Sequence, residues 1–314
     1  MLCVDALTGV VDTTREHLSL AIALGLPVFV VINKIDMCSQ ATIQQTLECL
    51  TSLLKRGDDS VQFKPYFIQN EADLIKAADI FVKKNICPIL SVSCVTGENI
   101  DLLKKFFNIL PPRLSRNDQE ILSQLPVEYR IDQIYTNNIS DEVVVGGTLR
   151  SGTINEGDSY LVGPLLDGSF IPAKVATIQR YHVPRRIVHA GQSASLSLLG
   201  IKSSQLRKGM VLVSPALNPQ ACYEFVAEIS ITMHHTNTPI HKGFETTVQI
   251  ENIRQTAVIL DIDMDELHAN KKAIVKFRFK TRCEYVLEGS RLIFRSGQQT
   301  KGSGRVIKAL PQNQ

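Results

Sequence analysis

The chain of 314 residues lacks tryptophan, contains only seven cysteines and has no long hydrophobic run. The number of cysteines is odd and no C-x-x-C pair occurs, so neither a disulfide framework nor a zinc-finger spacing is indicated. No stretch approaches the ~18 consecutive apolar residues of a membrane-spanning helix. Met1 is followed directly by an apolar run without basic residues, so a signal peptide is not indicated. We therefore expect reduced thiols, a cytoplasmic location and no membrane partner.

The charge of the chain is nearly balanced, with 34 basic and 31 acidic side chains and a net charge of +3. Residues 1–126 carry 12 basic and 14 acidic side chains, residues 127–215 carry 9 and 7, and residues 216–314 carry 13 and 10. This small excess of positive charge toward the C-terminus permits an RNA partner without requiring one. The hydrophobic content of 44% is sufficient for several folded cores.

The first third of the chain alternates between strand and helix patterns. Pro27–Ile32 and Cys87–Val92 are short apolar runs, which are typical of buried parallel strands. Ala41–Lys55 has apolar residues at helical spacing, and Glu98–Leu110 is predicted to be another helix. The alternation predicts that residues 1–112 form a parallel sheet covered by helices.

The helical pattern disappears in the last two-thirds of the chain. Residues 113–124 are polar and follow two prolines, so we interpret them as a linker or a short irregular helix. From residue 125 onward, short alternating runs are separated by glycine-containing turns, a pattern typical of β-barrels or sandwiches. A proline-rich break near residue 215 divides this part into two predicted all-β domains, 125–215 and 216–314.

The sequence Asn33-Lys34-Ile35-Asp36 follows a predicted buried strand, at the edge where open α/β sheets bind ligands. The carboxylate of Asp36 can accept hydrogen bonds from both N1–H and the exocyclic amine of guanine. The Asn33 amide can hold the loop and approach the base edge, and the aliphatic stem of Lys34 can lie along the ring face. The alternative is a plain strand-to-helix turn, in which Asn and Asp are also common.

A second loop, Ser93-Cys94-Val95, follows the other predicted buried strand and precedes a helix. Its backbone N–H groups can face the O6 atom of guanine. Alone it is a weak pattern, because an ordinary turn closed by Gly97 has the same composition. The separation of about 60 residues from Asn33 leaves room for two further sheet elements, which strengthens the pairing of the two loops.

With these two motifs the chain resembles the elongation factor Tu-like translational GTPases, and among them the eukaryotic subgroup called GTP-binding proteins one and two. Asn33–Asp36 matches the guanine-specificity motif of the family. Ser93–Val95 matches the loop under the base, where alanine is more usual at the position of Cys94. Further matching runs lie in the two β domains: Val144–Leu149, Glu156–Asp158, Leu206–Leu212, Glu288-Gly289, Arg291–Gly297 and Thr300–Gly304.

The resemblance implies a GTP-binding domain followed by two β-barrels, with GTP or GDP and Mg²⁺ as cofactors of the whole family protein. It implies partners among the ribosome, tRNA or the mRNA-decay machinery, and no DNA. The sequence contains no Gly-Lys dipeptide, which the phosphate-binding motif requires. Asp5–Gly9 is one residue too long for the family's D-x-x-G. We therefore expect the phosphate-binding and switch segments to precede Met1, and the chain to be N-terminally truncated and without catalytic residues of its own.

An alternating basic run in the last domain is a candidate RNA-binding face. As a strand, it places Lys276, Arg278, Lys280 and Arg282 on one side, about 6.6–6.8 Å apart. The alternative is the solvated outer face of a barrel strand. The acidic run Asp261–Asp265 lacks the Gly and Glu of a calcium-binding loop, so no metal site is predicted.

Two functions remain open from the sequence. The first is a translational GTPase family member in which this chain supplies base recognition and the two barrels. The alternative is an RNA- or ribosome-binding adaptor that is built on the barrels and does not depend on nucleotide.

Overall fold

The computed structural model describes eight ranges of the chain, which form two compact units, Met1–Arg113 and Leu114–Gln314. The described ranges are 1–55, 63–81, 85–112, 114–136, 143–234, 240–264, 272–296 and 300–311. In these ranges no helix combines the length and the apolar character needed to cross a bilayer.

The first unit alternates strands and helices along the chain. Its elements are β1 (Leu2–Asp5), α1 (Asp12–Ala23), β2 (Val30–Asn33), α2 (Gln40–Lys55), β3 (Lys64–Phe67), α3 (Glu71–Phe81), β4 (Ile86–Ser91) and α4 (Ile100–Ile109). The four strands are parallel and lie in the order β1-β2-β4-β3. The prediction of a parallel sheet covered by helices is confirmed.

Both faces of this sheet are covered, which explains why β2 lacks an alternating pattern. Val30 and Ile32 pack on one face in a cluster that includes α1 and α2. Phe29 and Val31 pack on the other face with residues of α3 and α4. The helix that follows β2 and the helix that follows β4 therefore lie on opposite faces. When the helices after two adjacent strands lie on opposite faces of the sheet, a crevice is left at the carboxyl ends of those strands. Open α/β sheets bind ligands in such a crevice.

The second unit begins with one helix and continues with strands only. Its elements are α5 (Arg116–Gln124), β5 (Glu128–Thr136), β6 (Val143–Ser151), β7 (Thr153–Asn155), β8 (Ser159–Gly163), β9 (Ile171–Arg180), β10 (Val183–Arg185), β11 (Ile187–His189), β12 (Ser193–Leu199), β13 (Val211–Val213), β14 (Cys222–His234), β15 (Glu245–Ile250), β16 (Ile253–Ile262), β17 (Lys272–Phe279), β18 (Arg291–Ser296) and β19 (Thr300–Pro311).

Twelve of these strands form two closed six-stranded barrels, and β7, β10 and β11 lie outside the rings. The middle barrel has the order β9-β12-β6-β5-β13-β8 and closes through pairing of β8 with β9. The last barrel has the order β14-β17-β16-β15-β18-β19 and is also closed. Closure leaves no free edge within either ring. Gly147 allows close approach of two strands, because a Cβ there would lie 1.8 Å from the carbonyl oxygen of Arg130. The predicted fold class, an α/β domain with a parallel sheet followed by two barrels, is confirmed.

The segment interpreted as a linker contains the regular helix α5. Its N-terminus is capped by Ser115, whose Oγ accepts a hydrogen bond from the backbone N–H of Asp118 at 3.1 Å. Gln119 donates to the carbonyl oxygen of Ala190 at 2.9 Å, which fixes α5 on the middle barrel. All side chains of α5 are exposed or half-buried. The sequence therefore lacks the apolar stripe from which a helix is usually predicted.

The two barrels share an interface that is partly apolar and partly polar. The rings of Phe170 and Tyr285, one from each barrel, meet edge to face with centroids 6.0 Å apart. The side-chain amide of Asn252 in the last barrel donates to the carbonyl oxygens of Ile131 and Met210 in the middle barrel, at 3.2 and 3.1 Å. These bonds add to those that the two oxygens already accept from the backbone N–H groups of Gly209 and Ile131, and they join the last barrel to the middle barrel.

Candidate guanine-binding site

The two predicted nucleotide loops lie side by side. Asn33 ends β2 and Ser93 follows β4, and these strands are parallel neighbours. Backbone hydrogen bonds join the loops: Val92 N–H donates to Ile32 O at 2.7 Å, and Ile35 N–H donates to Val92 O at 3.4 Å. The carboxyl ends of two adjacent strands thus bring together residues that are far apart in sequence.

Asp36 is held by the second loop. The buried hydroxyl of Ser93 donates to Asp36 Oδ1 at 2.5 Å, and it accepts from the backbone N–H groups of Val95 and Thr96 at 3.2 and 3.1 Å. Asp36 itself is exposed. One serine therefore fixes both the orientation of an exposed carboxylate and the shape of the loop beside it.

Asn33 ties the two loops together through a single atom. Its Oδ1 accepts from the backbone N–H of Lys34 at 2.8 Å and from that of Cys94 at 3.3 Å. The bond to Cys94 is long and lies at the limit of useful geometry.

Lys34 adopts the left-handed conformation, with φ 65° and ψ 34°. Its ammonium lies 2.6 Å from Oδ2 of Asp5, the last residue of β1. The hydrogen bond from Lys34 lowers the pKa of Asp5, and the same bond raises the pKa of Lys34. Sequence reasoning considered Asp5 only as part of an imperfect D-x-x-G. Its position at the carboxyl end of the strand beside β2 was the signal that could have identified it.

The surface around Asp36 also offers apolar contact. Val95 is 82% exposed, although a branched aliphatic residue is usually buried. Cys94 is exposed. All seven cysteines are free thiols, whether exposed or buried. An oriented carboxylate beside an aliphatic surface suits a flat ring that carries two adjacent N–H donors, which is the pattern of guanine.

A cavity of about 850 Å³ borders this loop pair, and Ile35 is the one residue of the two motifs among those that line it. It is lined by residues of α2 and of the β3 and β4 ends, and it reaches the loops at Ile35 and Asn99. Asn33, Lys34 and Asp36 do not line it. A base recognised by Asp36 would therefore rest on the exposed loops beside this cavity.

The basic run of the last barrel is carried by β17 and the turn after it. Phe277 and Phe279 are buried, so Lys276, Arg278 and Lys280 point outward as the alternation predicts. Each of them is paired with a carboxylate. Lys276 Nζ lies 2.8 Å and Arg278 Nη1 lies 3.6 Å from oxygens of Glu224.

The remaining two members of the run differ from each other. Lys280 Nζ lies 2.7 Å from Oε1 of Glu245. Arg282 is beyond the strand, and its Nε lies 3.7 Å from the buried Glu284. The predicted RNA face therefore consists of three outward cations beside acidic partners, with Arg282 turned toward the interior.

A hairpin of the middle barrel was not singled out from sequence. Residues 181–187 are all exposed, and they include Arg185 and Arg186. The hairpin tip places Tyr181 and His182 in the left-handed region, with φ 51° and 63°, which is uncommon for residues other than glycine. Tyr181 is 85% exposed, and the guanidinium of Arg180 lies 5.8 Å from its ring centroid. Exposed aromatic rings beside arginines are typical of surfaces that stack nucleic-acid bases.

A small concavity adjoins this hairpin. Its volume is about 270 Å³, and Tyr135, Tyr181 and Gly146 are among its lining residues. Asp132 also lines it, and desolvation raises the pKa of this carboxyl. The combination of two aromatic rings and polar groups suits a single flat polar ring.

Two parts of the chain match known family models. Residues 1–112 match the model described as the elongation factor Tu GTP binding domain. Residues 142–213 match the model described as elongation factor Tu domain 2. The loops Asn33–Asp36 and Ser93–Val95 fall within the first match, and the hairpin around Tyr181 falls within the second.

Curated relatives match almost the whole chain. Human GTP-binding protein 2 is 45% identical over 311 residues, which cover 98% of this chain and 50% of that protein. GTP-binding protein 1 of Xenopus laevis is 45% identical over 310 residues, which cover 99% of this chain and 46% of that protein. The chain thus spans about half the length of the curated relatives it matches.

A solved structure has the same fold. The apo form of translation elongation factor SelB from Methanococcus maripaludis superposes with a TM-score of 0.73, covering 99% of this chain and 64% of that one. The identity is 18%, so this likeness supports the fold only.

Proposed function

The chain belongs to the elongation factor Tu-like family of translational GTPases, and on that basis we propose that residues 1–112 recognise the guanine base of GTP or GDP. The observation that carries this proposal is the contact between Ser93 and Asp36. It aims an exposed carboxylate from one loop while the other loop supplies apolar surface. A buried or oriented pair of hydrogen bonds to N1–H and the exocyclic amine discriminates against adenine, which lacks that donor pattern.

Each residue of the loop pair has a role in the proposed site. Asp36 accepts two hydrogen bonds from the base edge, and Ser93 keeps the carboxylate in place. Asn33 holds the loops together, and the stem of Lys34 covers one face of the ring. Cys94 offers its backbone N–H toward O6, and Val95 contacts the base from its exposed position. These roles rest on the geometry of the loops and on the family match.

Phosphate and Mg²⁺ receive no assigned residues in this chain. The described ranges contain no group of three His, Cys, Asp or Glu side chains arranged to hold a metal, and Asp265 of the acidic run falls outside them.

The barrels are proposed to bind RNA in the cytoplasm, as parts of a protein that acts with the ribosome, with tRNA or with the mRNA-decay machinery. The exposed aromatic and basic hairpin of the middle barrel supports this proposal, because stacking on Tyr181 and charge from Arg185 and Arg186 combine on one surface. The basic strand β17 remains a second candidate for RNA contact. Neither surface gives a reason to expect a DNA or membrane partner.

The guanine proposal is tested by the substitution Asp36→Asn in the 314-residue chain. Guanosine, xanthosine and adenosine are titrated separately and followed by ligand-observed NMR, which detects weak binding. We expect the affinity for guanosine to fall roughly 10- to 100-fold, since a hydrogen bond to a charged group contributes about 1.5–3 kcal/mol. Xanthosine should gain affinity, because the Asn amide can donate to the xanthine carbonyl.

The matched control is Asp101→Asn, an exposed carboxylate on α4 that pairs with Lys104. This variant should bind guanosine as the wild type does. Equal guanosine affinity in wild type and Asp36→Asn would show that Asn33–Asp36 is only a turn. The nucleotide-independent adaptor would then be the better description of the chain.

A further inference from the structure

A carboxylate outside the sequence motif is fixed beside the proposed base site. Asp5 and Asn33 are register partners at the ends of β1 and β2, so the residues that follow them leave the sheet together. The Oδ1 atom of Asp5 accepts from the backbone N–H groups of Leu7 and Thr8 at 2.9 and 3.3 Å. One oxygen of the carboxylate is therefore used by its own turn, and the other is directed toward Lys34.

Lys34 is restrained at both ends of its side chain. Its backbone N–H donates to Asn33 Oδ1 at 2.8 Å, and its Nζ lies 2.6 Å from Asp5 Oδ2. The (CH₂)₄ stem has four rotatable bonds and would otherwise sample many conformations. With its two ends tethered, the stem runs from the end of β2 toward Asp5 at the end of β1.

The pair is too exposed to be explained as a stabilising contact. The side chains of Lys34 and Asp5 are 53% and 28% exposed, and ion pairs in such surroundings contribute little to folding. The left-handed backbone conformation of Lys34 also costs free energy, because it brings Cβ too close to the following carbonyl oxygen. A strained residue that is restrained at both ends is found where function needs a preset shape.

We infer that Asp5 is a positioning residue for the guanine site, which acts by holding Lys34 so that its aliphatic stem forms a preset platform for one face of the purine ring. This inference rests on the proposed function and adds a residue that lies outside both sequence motifs. Asp5 contacts no base atom in this scheme. It removes the conformational cost of ordering Lys34 when the base arrives.

The stem of Lys34 and the carboxylate of Asp36 should respond differently when the purine base is changed. The stem of Lys34 contacts the ring face, which is nearly the same in guanine and hypoxanthine. Asp36 reads the edge, where hypoxanthine lacks the exocyclic amine. Loss of Asp5 should therefore lower the affinities for guanosine and inosine by the same factor. Loss of Asp36 should lower the affinity for guanosine more than that for inosine.

The test is Asp5→Asn in the 314-residue chain, with guanosine and inosine as probes in ligand-observed NMR titrations. Asn keeps an Oδ1 acceptor for the N–H groups of Leu7 and Thr8 and loses the charge that holds Lys34. We expect both affinities to fall by the same factor of roughly three to ten, the range given by ordering one long side chain. An unchanged thermal midpoint would show that the turn after β1 is intact.

A double-mutant cycle separates positioning from a structural effect. Lys34→Ala removes the platform, so Asp5→Asn should cause no additional loss in that background. Asn99→Ala, which removes an amide that donates to Ser91 O at 2.8 Å in the second loop, serves as the control whose effect should add to that of Asp5→Asn.

Two outcomes would overturn the inference and are distinguishable. If Asp36→Asn shifts preference to xanthosine while Asp5→Asn changes neither affinity, or adds fully to Lys34→Ala, the guanine site stands and the role of Asp5 falls. If the wild type binds no purine nucleoside and Asp36→Asn gains none, the proposed function falls and takes this inference with it.

Discussion

Two ion pairs of similar length occur in very different surroundings. Lys34 and Asp5 meet at 2.6 Å, with side chains 53% and 28% exposed. Arg207 and Glu284 meet at 2.8 Å, with side chains 13% and 2% exposed. The first pair lies at the carboxyl ends of the parallel strands, and the second joins the two barrels. The distances alone do not distinguish them, but the surroundings do.

The buried pair is part of a wider network between the barrels. Arg207 also donates through Nη2 to the carbonyl oxygen of Cys283 at 3.1 Å, and Gln255 donates to Glu284 at 3.0 Å. Burial of a charge is costly unless such partners surround it. The network therefore couples the relative position of the barrels to the satisfaction of buried charges. The exposed pair has no comparable burial and can act only on its immediate loop.

The comparison predicts its largest effect for Arg207→Met. This substitution keeps an unbranched apolar side chain in place of the aliphatic stem of Arg207, but it leaves Glu284 buried without its main counter-ion. We expect the free energy of unfolding to fall by about 3 kcal/mol at neutral pH, as for other broken buried pairs. Urea denaturation at constant m-value measures this loss.

The pH dependence of that loss has a definite sign. Burial raises the pKa of Glu284 from its ordinary value of 4.5, and Arg207 opposes this rise. Without Arg207 the folded-state pKa rises further, so the folded variant binds a proton more tightly than the unfolded chain. The stability of Arg207→Met relative to the wild type is therefore highest below pH 4.5. It decreases as the pH rises through the folded-state pKa of Glu284. The double variant Arg207→Met with Glu284→Gln should recover much of the loss, and a loss independent of pH would contradict this account.

A smaller effect is expected at Ser93, which belongs to the exposed side of the comparison. Ser93→Ala removes the hydroxyl that holds Asp36 and accepts from Val95 and Thr96. We expect a loss of about 1 kcal/mol in unfolding free energy, together with a several-fold loss of guanosine affinity.

The barrel unit offers a matched control for this substitution. Ser169 Oγ donates to Asp167 Oδ1 at 2.6 Å in an exposed turn of the middle barrel. Ser169→Ala removes a similar contact and should leave guanosine binding unchanged. Equal guanosine losses in the two variants would show that Ser93 has no special role in orienting Asp36.

The elements of the fold that depend on local pattern could be predicted from the sequence. The run Pro27–Ile32 indicated β2 because a strand covered on both faces needs only apolar residues. The edge strand Lys64–Phe67 was missed, since it is short and contains Pro65, which is tolerated only at edges or strand ends. The helix α5 was left open between linker and helix because it has no buried stripe.

The placement of the two candidate loops at neighbouring strand ends could be predicted from the sequence, whereas the contacts between their side chains could not. The sequence predicts Asn33 and Asp36 as site residues because their chemistry suits guanine. Ser93 contacts Asp36 and Asp5 contacts Lys34, and only the sheet order brings these residues close together. For the same reason the carboxylates beside β17 were not anticipated, since Glu224 lies on another strand and reaches Lys276 only through the pairing of β14 with β17.

The smallest effects are expected on the outer face of β17. The triple change of Lys276, Arg278 and Lys280 to Ser should flatten the slope of log affinity for tRNA against log salt by about one unit or less, although three bare cations would contribute up to about 0.9 each. Glu224 and Glu245 already neutralise part of this charge. The comparison variant changes Arg180, Arg185 and Arg186 of the exposed hairpin to Ser and should flatten the slope by about two to three units. Equal flattening in the two triple variants would show that the ion pairs of β17 do not limit its contact with RNA.

Glu224→Gln tests the same idea in the opposite direction. It frees Lys276 and Arg278 without changing either cation, so tRNA binding should strengthen and the salt slope should steepen by up to about two units. Glu228→Gln is the matched control. Glu228 is exposed and lies on the same outward side of β14 as Glu224, so this variant removes the same charge from the barrel. A general charge effect predicts equal gains from the two variants. A face made of Lys276 and Arg278 predicts a larger gain from Glu224→Gln, and equal gains would remove β17 as a specific RNA surface and leave the hairpin around Tyr181 as the remaining candidate.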